Sequence, residues 1–192
     1  DAELRWPEQL LDSLQGRGIG VDTLQVIATT GWTTQNLRSA ISNKGLAEKG
    51  FNMVSLLIGV NDQFQGQPLS MYQPRLQRLI DSALHFLDQD TSRLFMLSIP
   101  DYAYTPFGQT FNPGQISLGI DQYNDINRAV AEAYGIRYFN ITPISREGLN
   151  DPSLVAGDAL HPSGKQYGQW VALMMEYVDS VYNNPASPPE DS

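Results

Sequence analysis

Hydrophobic positions along this chain recur with two periods, and the period switches at turn residues. In Trp6-Pro7-Glu8-Gln9-Leu10-Leu11-Asp12-Ser13-Leu14, the leucines fall on one helical face, Pro7 suits the first helical position, and Gly16 ends the run, which predicts a helix. Val21 to Ala28 is β-branched and apolar and predicts a strand. The polar turn Thr29–Thr34 leads into a helix from about Gln35 to Lys44. Asn52 to Ile58 is a nearly continuous apolar run, as in a strand buried on both faces. Ser70 with Gln73 resembles a capping box opening a helix to about Leu87. Leu94 to Ile99 predicts a further strand closed by Pro100. A long loop, Asp101 to Gly119, overlaps the start of a helix over Leu118–Tyr134. Arg137 to Ile141 is the last predicted strand, and Ser163 to Val181 the last helix.

Apolar strands that alternate with helices imply a parallel sheet covered on both faces, an α/β/α three-layer sandwich. The whole reads as one domain over residues 1–182, with a frayed Pro/Asn/Ser tail over 183–192. In such sheets ligands bind beyond the carboxyl ends of the strands. Four polar clusters are expected at that edge: Gly31 after Ala28, Asn61 after Ile58, Asp101 after Ile99, and the loop Asp158–His161 after the last strand.

Charge narrows the partners. Lys and Arg number 12 against 21 Asp and Glu, a net charge of −9, so neither nucleic acid nor an anionic membrane is attracted. No apolar run reaches membrane-spanning length, and export remains open. With no cysteine there is no disulfide, thiol nucleophile or Cys-ligated zinc.

The chain has two histidines. His85 falls in an amphipathic helix, which leaves His161 as the general base of the usual kind. In Gly157-Asp158-Ala159-Leu160-His161-Pro162-Ser163 a carboxylate precedes the imidazole by three positions, where it can hold one ring nitrogen while the other takes a proton. The competing reading is that Asp158 and His161 only cap the last helix. The aromatic loop Asp101–Phe111 and Trp32 fit either a pocket for an acyl or aryl group or the ordinary packing of a long loop.

These motifs resemble the SGNH hydrolases, or GDSL-type esterases and lipases, across nearly the whole chain. Gly59-Val60-Asn61-Asp62 is similar to the family's GxND block, Asp158-Ala159-Leu160-His161 to its DxxH block, and Thr30-Gly31-Trp32-Thr33-Thr34 to its glycine block. Trp6-Pro7-Glu8-Gln9-Leu10, Ser98-Ile99-Pro100-Asp101-Tyr102 and Thr142-Pro143-Ile144-Ser145-Arg146 are similar to one bacterial branch. The resemblance implies a flavodoxin-like fold with strand order 2-1-3-4-5 and hydrolysis of a small-molecule carboxylic ester without metal or organic cofactor. It implies His161 as base, Asp158 as its orienting acid, and Gly31 and Asn61 as oxyanion donors. Trp32, Tyr102 and Phe107 are candidates for substrate contact, and Asp62 reads as a structural tie between loops.

The family's Gly-Asp-Ser nucleophile block is absent. Leu11-Asp12-Ser13-Leu14 copies its lettering inside the first predicted helix, where a serine has no exposed strand-to-helix turn. The resemblance therefore implies that the first, central strand is missing and that the nucleophile lies on a separate N-terminal segment. The chain then reads as a fragment, as a nicked protein, or as a homologue that binds an acyl or sugar ligand without catalysis. A metal-dependent hydrolase using Asp62, Asp101, Asp158 and His161 is a further alternative, although one His among scattered carboxylates is a poor zinc set.

Overall fold

The computed structural model describes residues 5–46 and 50–183. Its centre is a parallel sheet of three strands in the order β1 (Val54–Leu56), β2 (Leu94–Leu97), β3 (Arg137–Phe139). Around it lie the helices α1 (Trp6–Gly16), α2 (Thr34–Asn43), α3 (Val60–Phe64), α4 (Leu69–His85), α5 (Pro113–Tyr134), α6 (Thr142–Ser145) and α7 (Gly164–Asn183). β2 shows why its run is apolar throughout. Phe95 and Leu97 point into a core with Trp6, Leu10, Trp170 and Met174 of α1 and α7. Leu94 and Met96 point into the opposite core with Leu76, Leu79, Ile80 and Ile120 of α4 and α5. Side chains alternate across a strand, so a strand covered on both sides must be apolar at every position. The result is the expected α/β/α sandwich.

Three expectations need correction. Val21–Ala28 forms no strand, and its backbone makes no backbone–backbone hydrogen bond among the described residues. The segment runs beside the free edge of β1 with a cavity between them, and β propensity without a hydrogen-bonding partner makes no ladder. The cap of α4 is Pro68 with no side-chain hydrogen bond, so the Ser70–Gln73 box is not formed. Helix α5 begins five residues early, at Pro113, because Asn112 accepts the Gln115 N–H and Pro113 occupies the first helical position. Ser13 lies within α1 as expected, its hydroxyl donating to the Gln9 carbonyl at 2.7 Å. Most of the expected tail lies outside the described residues.

Buried polar groups fix the carboxyl ends of β2 and β3. Ser98 Oγ accepts the Ile141 N–H at 2.8 Å and the Thr142 N–H at 3.0 Å. Asn124 pairs with Ile99 through both backbone groups, at 2.7 and 3.1 Å. Among the described residues no helix is long and apolar enough to cross a membrane.

Candidate active site

Three segments meet beyond the sheet's carboxyl edge. The first is the turn Thr29–Trp32, closed by the Trp32 N–H on the Thr29 carbonyl at 3.2 Å. Gly31 has φ +84°, a conformation that suits glycine. Thr33 then caps α2 in a capping box with Asn36.

The second segment is Gly59–Asp62. Gly59 has φ +119° and ends the chain's run out of the sheet, and a Cβ there would land on the Tyr72 hydroxyl. Asn61 sits in the first turn of α3 and donates one side-chain N–H to the Trp32 carbonyl at 3.1 Å. An amide carries two such hydrogens, so a second donor remains. Asp62 is fully buried and accepts the Thr34 N–H at 2.8 Å and the Thr34 hydroxyl at 2.7 Å. It ties the second segment to the first, as its structural reading requires.

The third segment is the loop before α7. Val155 bridges Pro162, and the Ala156 N–H donates to the His161 carbonyl at 2.7 Å. Ala159 has φ +65°, uncommon for a residue with a Cβ and a form of stored strain. Asp158 Oδ1 accepts the N–H groups of His161 at 2.9 Å and Leu160 at 3.0 Å. Its Oδ2 lies 2.6 Å from His161 Nδ1. Asp158 caps no helix, because α7 starts six residues later. The His161 backbone N–H, then the Leu160 N–H and the imidazole, hold the Asp158 carboxyl down at about 2. It is ionised wherever imidazole titrates. With Nδ1 held, Nε2 is the imidazole atom left to exchange a proton.

His161, Asn61 and Trp32 line one cavity of ≈ 220 Å³, together with Ile99, Pro100 and Tyr167. Trp170 also borders it, and its buried indole N–H has no hydrogen-bond partner among the described residues. Burial raises the Tyr167 hydroxyl, and the Asp158 charge adds to that, so it remains a neutral phenol. Among the described residues no serine lines this cavity. Gly31 does not line it directly, although its neighbours Thr29 and Trp32 do. A second cavity, ≈ 360 Å³, lies between Val21–Ala28 and Met53–Leu57. The two share Trp6, Ile27, Ala28, Leu37 and Leu57, so the second runs up to the first.

Tyr102 and Phe107 stand apart from both cavities. Tyr102 is buried, with its hydroxyl donating to Gln63 Oε1 at 2.9 Å. Phe107 reaches the site through its backbone, its N–H donating to the Ala159 carbonyl at 3.0 Å. Asp101 is buried and serves the fold, accepting Ser117 Oγ at 2.7 Å and Arg146 Nε at 3.0 Å. Among the described residues no three His, Asp or Glu side chains gather as a metal site. Sequence reasoning missed Phe64, one helical turn after Asn61, and Trp170. The spacing from Asn61 was a readable signal for Phe64, but the unpaired indole of Trp170 had none.

A profile of the GDSL-like lipase/acylhydrolase family matches residues 1–168. The chain belongs to this family. No curated protein matches it. Solved structures share its fold at low identity. The psychrotrophic esterase EstA from Pseudoalteromonas sp. is 17% identical, with a TM-score of 0.67 over 95% of this chain and 90% of its own. The acetylxylan esterase Axe2 from Geobacillus stearothermophilus is 18% identical, with a TM-score of 0.71 over 91% and 80%. A lipolytic G-D-S-L family protein from Veillonella parvula is 15% identical, with a TM-score of 0.69 over 92% and 88%. Membership of this family supports ester hydrolysis.

Proposed function

We propose that this chain supplies the acid-base pair and the oxyanion donors of a serine esterase acting on carboxylic esters. The observation that carries the reading is the Asp158–His161 pair at 2.6 Å with Asn61 on the wall of the same cavity. In this mechanism His161 Nε2 takes the proton from a serine hydroxyl as it attacks the ester carbonyl. The Asn61 amide and the Gly31 N–H receive the oxyanion. His161 then protonates the departing alcohol, and water repeats the sequence on the acyl-enzyme.

The serine arrives on an extended segment seated in the cavity between Val21–Ala28 and β1. The edge of β1 and the backbone of Val21–Ala28, which makes no backbone–backbone hydrogen bond among the described residues, offer hydrogen bonds on both flanks. Strand addition to an exposed sheet edge is an established recognition mode. The end of that cavity at Ile27, Ala28 and Leu57 adjoins His161, so a residue at the strand's carboxyl end reaches the imidazole.

Fluorophosphonate labelling tests this. The protein is incubated with and without a synthetic strand of apolar residues ending in Gly-Asp-Ser, and the adduct is located by peptide mass spectrometry. Labelling of the strand's serine, dependent on His161, is expected. A strand that binds in the cavity yet stays unlabelled, with p-nitrophenyl acetate not hydrolysed, would refute the catalytic reading. It would favour a ligand-binding protein.

A further inference from the structure

Four aromatic rings form a continuous cluster beside the site. The Phe64 centroid lies 5.9 Å from Tyr102, 6.5 Å from Phe107 and 6.4 Å from Phe111, and Phe107 lies 5.1 Å from Phe111. Exposure rises across it, from buried Tyr102 through half-buried Phe107 to Phe64 at 52% and Phe111 at 54%. A single exposed phenylalanine requires no explanation. Neighbouring rings left largely in water mark a surface that binds something.

The cluster is fastened to both halves of the site. Phe64 follows Asn61 by one turn of α3, and the Phe107 N–H bonds to Ala159 between Asp158 and His161. The loop beneath is folded tightly on itself. Thr105 Oγ1 donates to the Tyr102 carbonyl at 2.8 Å, the Gly108 N–H donates to Thr105 Oγ1 at 3.0 Å, and Gln109 Nε2 donates to the Ala103 carbonyl at 2.7 Å. A Cβ at Gly108 would overlap the Tyr102 carbonyl, and one at Gly119 would come within 2.8 Å of Gln63 Nε2. The rings therefore stand on a fixed frame, which lowers the entropy lost on binding.

We infer that Phe64, Phe107 and Phe111 are the platform for an uncharged apolar substituent of the ester, an alkyl chain of several carbons or an aryl ring. This rests on the esterase reading above, because the platform adjoins a reacting ester only if Asn61 and His161 hold one. Other occupants fit less well. Three partly exposed rings present a few hundred Å², short of the roughly 800 Å² per partner of a stable protein interface. A second copy would also bring another net charge of −9, and an anionic lipid surface or a carboxylate-bearing chain meets the same repulsion. One chain or ring matches the patch in size and charge.

Two isomeric esters test the platform and say which side of the ester it holds. Ethyl hexanoate and hexyl acetate have the same composition but carry the long chain on the acyl and alcohol sides, and ethyl acetate is the short control. Dissociation constants for all three are measured by saturation-transfer NMR on the wild type, on F64A/F111A and on F64L/F111L. Both positions are more than half exposed, so the variants keep the fold, and circular dichroism verifies it. The alanine pair should weaken one long ester or both by about tenfold, equivalent to about 1.4 kcal/mol. Ethyl acetate should change by less than about twofold, and the leucine pair should restore most of the loss. Unchanged constants for both long esters would overturn the inference. An equal loss on ethyl acetate would also overturn it, because the rings would then only support the fold around Asn61. Turnover of the same esters is followed with the Gly-Asp-Ser strand present. Its absence would strike the esterase reading, while the binding constants would still judge the platform.

Discussion

Replacing Asp158 by Asn separates the two tasks of that carboxylate. Oδ1 accepts two backbone N–H groups and Oδ2 faces His161 Nδ1 at 2.6 Å. Asn keeps an oxygen for the backbone pair but turns an N–H toward the imidazole. Nδ1 must then accept, the ring proton moves to Nε2, and Nε2 can no longer act as base. On this geometry turnover should fall by about 10⁴, the loss typical of a base held in the wrong tautomer. Stability should change little. Both side chains are about half exposed, and an exposed ion pair contributes only about 0.2–1 kcal/mol. Asp158→Ala should cost more, about 1–2 kcal/mol, since two backbone donors lose their acceptor as well. Nitrogen-15 NMR reads the tautomer directly, and with two histidines in the chain the assignment needs only a His85 variant. Urea unfolding gives the stability of both variants. If Asp158→Asn kept the Nε2 acceptor tautomer, or lost as much stability as the alanine variant, the division of labour between the two oxygens would be wrong.

Other expectations follow from the same contacts. Asn61→Ala should lower kcat by about 10²–10³, as for a lost oxyanion donor, in the strand-complemented protein, and a full kcat would remove Asn61 from that role. Asp62→Ala strands the buried Thr34 N–H and hydroxyl and should destabilise by about 2–4 kcal/mol, measured by urea unfolding, with a loss under 1 kcal/mol arguing against the tie. The Asp158 carboxyl is depressed from about 3.9 unfolded to about 2 folded, so its stabilising contribution is complete above pH ~4 and disappears as pH falls through about 2. Wild type should therefore lose stability more steeply than Asp158→Asn between pH 4 and 2, and parallel curves would contradict this.

The sandwich was legible because its central strand β2 is apolar on both faces and its helices on one, and these periods survive translation into three dimensions. Asp158–His161 was legible because a spacing of three puts both side chains on one short loop, where local geometry decides the contact. The start of α5 is equally local, written in Asn112-Pro113 within the aromatic loop.

What only the tertiary structure decided concerns partners distant in sequence. Val21–Ala28 has the composition of a strand, but a strand exists only where a neighbour supplies hydrogen bonds, and no local pattern reports the neighbour. Asp62 and Asp101 are both acidic residues after a strand. One meets Thr34, the other Ser117 and Arg146, and those meetings make both structural. Within the aromatic loop Tyr102 is buried, Phe107 half-buried and Phe111 exposed beside Phe64 of α3, a division that no local pattern reports. Sequence by itself determined that Asp158 and His161 pair on one short loop and which edge of the sheet that loop reaches. Exposure and hydrogen-bond pairing are set by what folds against each residue, so only the assembled chain divides the aromatic loop into core and surface.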